Sequence, residues 1–161
     1  MGSGNSYKCK KCGNEYVAFT GVGFFYPTDC EAALERMKNG EYGVEWKKLI
    51  SSYKYPVIDA ENQLYCCECG YWKVDEKLDL YVPKNDEVVA KLHYGEKTVK
   101  ELGYVPYLDH LRHFRLLKKY PHVCPDCGKE MNGIIADENT KLKCPKCGTE
   151  NLAQEDNILW D

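Results

Sequence analysis

Four copies of one short turn constrain this chain more than anything else in it: "CKKCG" (9–13), "CCECG" (66–70), "CPDCG" (124–128) and "CPKCG" (144–148). Each reads Cys-x-x-Cys-Gly. Two intervening residues let both sulfurs face one point, and the glycine permits the positive φ that closes the turn. Pro125 and Pro145 pre-set φ at the start of their turns. One such knuckle supplies half of a tetrahedral sulfur site. Four knuckles therefore predict two sites, with Cys9, Cys12, Cys66, Cys69, Cys124, Cys127, Cys144 and Cys147 as ligands. Ten cysteines would also suit a disulfide scaffold. Such scaffolds are mostly secreted, however, and the opening "MGSGNSYKCKKCG" lacks the apolar core of a secretory signal.

Four knuckles can pair in three ways. Sixteen residues separate Cys127 from Cys144, a length suited to a compact ribbon, so Cys124, Cys127, Cys144 and Cys147 are expected to share one site. Cys9 and Cys12 are then left for Cys66 and Cys69, across 53 residues. Cys67 occupies the first spacer position, where the other knuckles have Lys10, Pro125 and Pro145. Its side chain is expected to point away from the metal.

Residues 124–148 resemble a zinc ribbon with rubredoxin-type CPxCG knuckles, and 9–70 resemble a second ribbon opened by a helical insertion. The N-terminal half, with "GVGFFYP" followed by "ERMKNGEYG", is also similar to small uncharacterised bacterial zinc-ribbon proteins. The resemblance covers the two metal sites and leaves the 83–122 connector outside it. It implies metal binding and often a contact with protein or nucleic acid; it implies no reaction.

The expected fold class is α+β: two small four-cysteine zinc ribbons in tandem, joined by helices. Residues 1–83 form the first ribbon with a two-helix insertion at about 28–53, 84–122 a helical connector, and 123–161 a compact second ribbon with an acidic tail. "NEYVAFT" (14–20) and "EKLDLYVP" (76–83) alternate as strands. "TDCE" (28–31) has the form of a capping box opening a helix that stops at Asn39-Gly40. Trp46, Leu49, Ile50 and Tyr53 make the apolar stripe of a second helix over 44–53. Pro106 and Pro121 bracket a helix at 107–120. "EMNGIIA" and "TKLKC" are expected to pair across "DENT" (137–140), and "MGSG" reads as a flexible start.

A formal charge of −3 argues against a general polyanion binder. Arg112, Arg115, Lys118 and Lys119 nevertheless form a local basic stretch, the candidate partner-binding site, for protein or nucleic acid. Asp137-Glu138, at a hairpin tip, resembles the acidic pair of transcript-cleavage zinc ribbons and offers a nucleic-acid-processing alternative. His93, His110, His113 and His122 are assigned to no metal. Cys30 lies in a helix's first turn with no base nearby.

Both sites are filled by thiolates, so no position is open for a hydrolytic water, and no nucleophile–base motif appears. The chain is therefore expected to be no enzyme and to carry two structural Zn2+ ions. A rubredoxin-like iron electron carrier is the alternative. The longest apolar stretch, "YVAFTGVGFFYP", is broken by glycines and falls short of the ~18 residues needed to cross a bilayer. A soluble, cytoplasmic protein with no membrane partner is expected.

Overall fold

Short runs with a two-residue apolar repeat become strands and longer 3.6-residue repeats become helices. The computed structural model describes residues 2–102, 104–105, 107–135, 140–150 and 152–160. In chain order the elements begin with β1 (Gly2–Cys9), β2 (Glu15–Gly21), α1 (Tyr26–Asn39), α2 (Val44–Ser51) and β3 (Val57–Asp59). There follow β4 (Asn62–Cys66), β5 (Trp72–Glu76), β6 (Asp79–Pro83), α3 (Asp86–Val89), β7 (His93–Tyr94) and β8 (Lys97–Thr98). The last are α4 (Val99–Leu102), α5 (Tyr107–His113), β9 (Phe114–Lys118), β10 (Asn132–Ile134) and β11 (Leu152–Trp160). The architecture is mixed, with mostly small antiparallel sheets and few helices. Among the described residues no helix is long and apolar enough to cross a membrane.

The chain divides into two units, each assembled from separated segments. Unit 1 comprises Met1–Phe24, Glu61–Glu76 and Pro121–Asp161; unit 2 comprises Phe25–Ala60 and Lys77–Tyr120. This is not the expected succession of 1–83, 84–122 and 123–161. Long-range strand pairing, which no local pattern encodes, gathers the three segments of unit 1.

Unit 1 holds a sheet of order β10-β4-β2-β1-β11, with β5 also paired to β4. β1 is interior to it: Gly2 to Lys8 pair with Gly21 to Glu15 on one side, and the same strand pairs with β11 on the other. Residues 2–4 of the expected flexible start are therefore strand, and Gly2, Gly4 and Asn5 are buried. Among the described residues the expected pairing of 130–136 with 140–144 is not found either. β10 pairs with β4 instead, Gly133 opposite Tyr65, and 140–144 form no strand.

In unit 2, α1 buries Tyr26, Cys30, Ala33, Leu34 and Met37 along one stripe. Its N-cap is Phe25, with no side-chain cap and Pro27 in the first turn, so the helix starts before the expected capping box and Thr28 lies inside it. The stop at Gly40 is as expected, with φ of 91°. α2 ends at Ser51 rather than 53, and Trp46 and Ile50 form its buried side.

The sheet β3-β6-β9 runs between two cores. Ile58 and Leu80 meet α1 and α2 on one face, while Val57 and Tyr81 meet Val89, Val99 and Phe114 on the other. Because β6 is covered on both faces, all five of its residues are buried. The expected helix over 107–120 stops at His113. From Phe114 the chain is a strand on β6, Pro83 opposite Phe114 and Val82 opposite Arg115. β6 has backbone groups to satisfy, and that requirement overrides the helical pattern. Leu111 is left 76% exposed as a result, whereas Phe114 is fully buried.

At the end of β3, Asp59 is buried with its carboxylate satisfied twice. Tyr26 donates to Oδ1 at 3.1 Å and Lys77 to Oδ2 at 3.0 Å.

Candidate metal centres

All three knuckles with two spacers fold alike. The first cysteine's N–H donates to the residue five positions on (Cys9 to Asn14, Cys124 to Lys129, Cys144 to Thr149), and the closing glycine's N–H donates back to that cysteine's carbonyl. The fourth is one residue shorter. Cys67 N–H donates to the Tyr71 carbonyl and Gly70 N–H to the Cys67 carbonyl, at 2.8 and 2.9 Å. Its cysteines are Cys67 and Cys69. Gly13, Gly70, Gly128 and Gly148 all hold φ between 68° and 95°, as a closing position demands.

Two groups of four sulfurs result: Cys9, Cys12, Cys144 and Cys147, and Cys67, Cys69, Cys124 and Cys127, with all sulfurs of a group within 4.8 Å of one another. The first knuckle thus meets the last, and the two middle knuckles meet each other. This nested pairing corrects both expected pairings, 9/12 with 66/69 and 124/127 with 144/147. Sequence spacing favoured neighbours in the chain. The sheet decides otherwise, by laying β1 against β11 and β4 against β10.

Cys66 and Cys67 exchange their expected roles. β4 alternates, so Leu64 and Cys66 pack into the core containing Cys9 and Cys144, while Tyr65 and Cys67 pack beside Cys124 and Met131. Cys66 is still in strand register, opposite Trp72, and the knuckle begins only after it. The signal was present in "LYCC": once this stretch is a strand, neighbouring cysteines must face opposite sides.

Both groups fit a tetrahedral ion. With metal–sulfur bonds of about 2.3 Å, sulfurs should stand ~3.8 Å apart. Cys9 and Cys147 are 3.6 Å apart, as are Cys12 and Cys144; Cys67 and Cys127 are 3.4 Å apart, and Cys69 and Cys124 3.6 Å. All ten cysteines are free of disulfides.

The surroundings differ. In the first group Cys9 and Cys144 are buried and Cys12 and Cys147 half-buried. Trp72 packs among them against Tyr7 and Tyr16, and its Nε1–H donates to the Lys143 carbonyl at 2.7 Å. The Tyr16 hydroxyl lies 3.4 Å from Cys144 Sγ, a contact that nothing in the sequence indicated. Burial opposes ionisation of Cys144. The Tyr16 hydroxyl and the N–H groups of Cys147 and Lys146 outweigh it and bring this thiol down to about 6. Burial likewise opposes ionisation of Cys124, and the Cys127 and Asp126 N–H groups bring it to about 7.

In the second group Cys69 and Cys127 are exposed. His122, two residues before Cys124, is buried but belongs to neither sulfur group. Its ring stacks on Tyr65 at 3.7 Å, and Nδ1 is 3.5 Å from an Asp75 carboxylate oxygen. That His122 contact, against some desolvation, holds the Asp75 carboxyl down to about 2. The other histidines are also outside both groups. His110 is buried in unit 2 against the Tyr81 and Tyr26 rings.

The basic stretch is not one helix face. Arg112 lies on α5, Arg115 and Lys118 on β9 and Lys119 beyond it. Lys118 is paired with Glu45 and sits over the Trp46 ring. Asp137-Glu138 lies outside the described residues. No protein family, curated protein or solved structure matches the chain.

Proposed function

We propose that unit 1 is held together by two structural zinc ions, and that the chain is a non-catalytic adaptor that binds a protein partner. The observation that carries this reading is the nested pair of all-sulfur groups. Four thiolates fill a tetrahedral shell, so a bound zinc would have no position left for water or substrate. Each group joins chain segments far apart in sequence, and binding free energy there is folding free energy. Protein is favoured over nucleic acid as the partner because the net charge is −3 and the four cations are divided between elements, one of them already paired.

Metal analysis of the purified chain should return two zinc ions, with cysteines of both groups protected from alkylation until a chelator is added. A red protein with iron–thiolate absorption replaces zinc by the electron-carrier reading. The holo-protein should not be retained on DNA or RNA at low salt. Retention that falls with salt, and is lost on charge reversal at Arg112, Arg115 and Lys119, would move the partner to nucleic acid.

A further inference from the structure

We infer that unit 2 carries a binding site for a small aromatic anion, independent of the metal centres. A cavity of about 350 Å3 opens where α1, the end of α2, the 52–56 segment and α4 come together. Its floor is aliphatic and buried: Leu34, Ile50 and Val99. Leu34 and Ile50 belong to the core on one face of the β3-β6-β9 sheet, and Val99 to the core on the other. The cavity therefore forms where the two layers meet just before edge strand β3. Half-buried Tyr53 and Tyr55 stand as its walls.

Charge decides the class of ligand. Lys38, Lys54 and Lys100 line the opening, and among the described lining residues there is no carboxylate. Lys38 is paired with Glu35, at 2.6 Å. Lys54 has its ammonium 5.8 Å from the centre of the Tyr55 ring instead, and among the described residues neither Lys54 nor Lys100 has a carboxylate partner. Lys54 and Lys100 therefore leave two uncompensated positive charges at one opening, and an anion placed between them relieves their repulsion. Solvent screens these exposed groups, so charge alone holds nothing tightly. Affinity requires that the apolar floor and tyrosine walls also be covered, which calls for a flat, apolar body attached to the anionic group. The volume is at the small end of ligand cavities, about 300–1,000 Å3. It suits one ring system bearing a phosphate or carboxylate.

The test is an amide NMR titration of the full, zinc-loaded chain with phenyl phosphate and with benzoate. At least one should give saturable shifts at Leu34, Ser51, Lys54 and Val99, weakened by salt. Inorganic phosphate and phenol, each retaining half of the recognition, should bind at least about tenfold more weakly. The pair Lys54→Glu and Lys100→Glu should lower affinity by about tenfold or more. Val99→Trp, which fills the floor and keeps every charge, should abolish binding. The charge reversals sit on exposed side chains, so the result does not depend on the tryptophan variant folding. No saturable shift with either probe up to about 10 mM, or unchanged affinity in the double charge variant, overturns the inference.

Discussion

Serine in place of Cys66 or of Cys67 distinguishes two ways of building the same knuckle. The chain offers Cys66-x-x-Cys69, like its other three knuckles, yet Cys67 Sγ is the atom 3.4 Å from Cys127. A structural four-sulfur zinc site has an apparent binding free energy of about 10–16 kcal/mol, or about 2.5–4 kcal/mol per thiolate. Cys67→Ser should therefore weaken one of two zinc ions by about two to three decades. Cys66→Ser removes no ligand. It replaces a half-buried thiol packed beside the other site, at a cost of about 1 kcal/mol in folding stability. The assay is zinc competition with a chromogenic chelator, backed by cobalt substitution, whose sulfur-to-cobalt charge-transfer intensity follows the number of thiolates bound. Two tight metals in Cys67→Ser, with one lost in Cys66→Ser, would refute the strand register argued for β4.

Nested pairing predicts which cysteines fail together. Cys9→Ser with Cys144→Ser should cost one zinc, and Cys9→Ser with Cys124→Ser should cost two, as counted by native mass spectrometry. Exposed Cys69 and Cys127 should make the second group the first to release zinc under a mild oxidant, with alkylation mapping to those two residues; earlier release from Cys9 or Cys144 contradicts this. Cys30 is buried, and burial pushes its thiol up to about 12 from 9.0. Folding therefore favours its neutral form: this contribution is whole below pH 9.0, is lost as pH rises toward about 12, and should leave Cys30 unlabelled in the native protein near neutral pH. Lys77→Met removes the cationic partner of the buried Asp59 carboxylate, leaving the Tyr26 hydrogen bond in place, and should destabilise unit 2 by about 3–5 kcal/mol in denaturant unfolding, with Asp59→Asn restoring part of the loss.

What the sequence revealed and what it concealed follow from range. Knuckle geometry is fixed within five residues, so the turns, their glycines and seven of the eight grouped cysteines could be read directly. The partner of each knuckle is fixed by which strands lie side by side, and the distance between knuckles carries no record of that. The stretch 107–120 shows the same division. Leu111, Phe114 and Leu117 recur at helical spacing, but Phe114 to Lys118 also serve as an edge for β6, and the long-range demand prevails. The N-terminal glycines looked like slack because nothing near them in sequence needs them; β2 and β11 do.

The nesting also sets a timetable during synthesis. Cys9 meets a residue made 138 positions later, and Cys67 one made 60 positions later. At about 5–20 residues per second, the inner site can close roughly 3–12 s after its first ligand is made, and the outer one after roughly 7–28 s. Through that interval Cys9 and Cys12 are a bare chelating pair, with Cys67 and Cys69 arriving long before their proper partners, and Cys66 beside them. Early closure of the inner site removes four competing thiols from the nascent chain. The last knuckle to emerge then finds the first one still waiting.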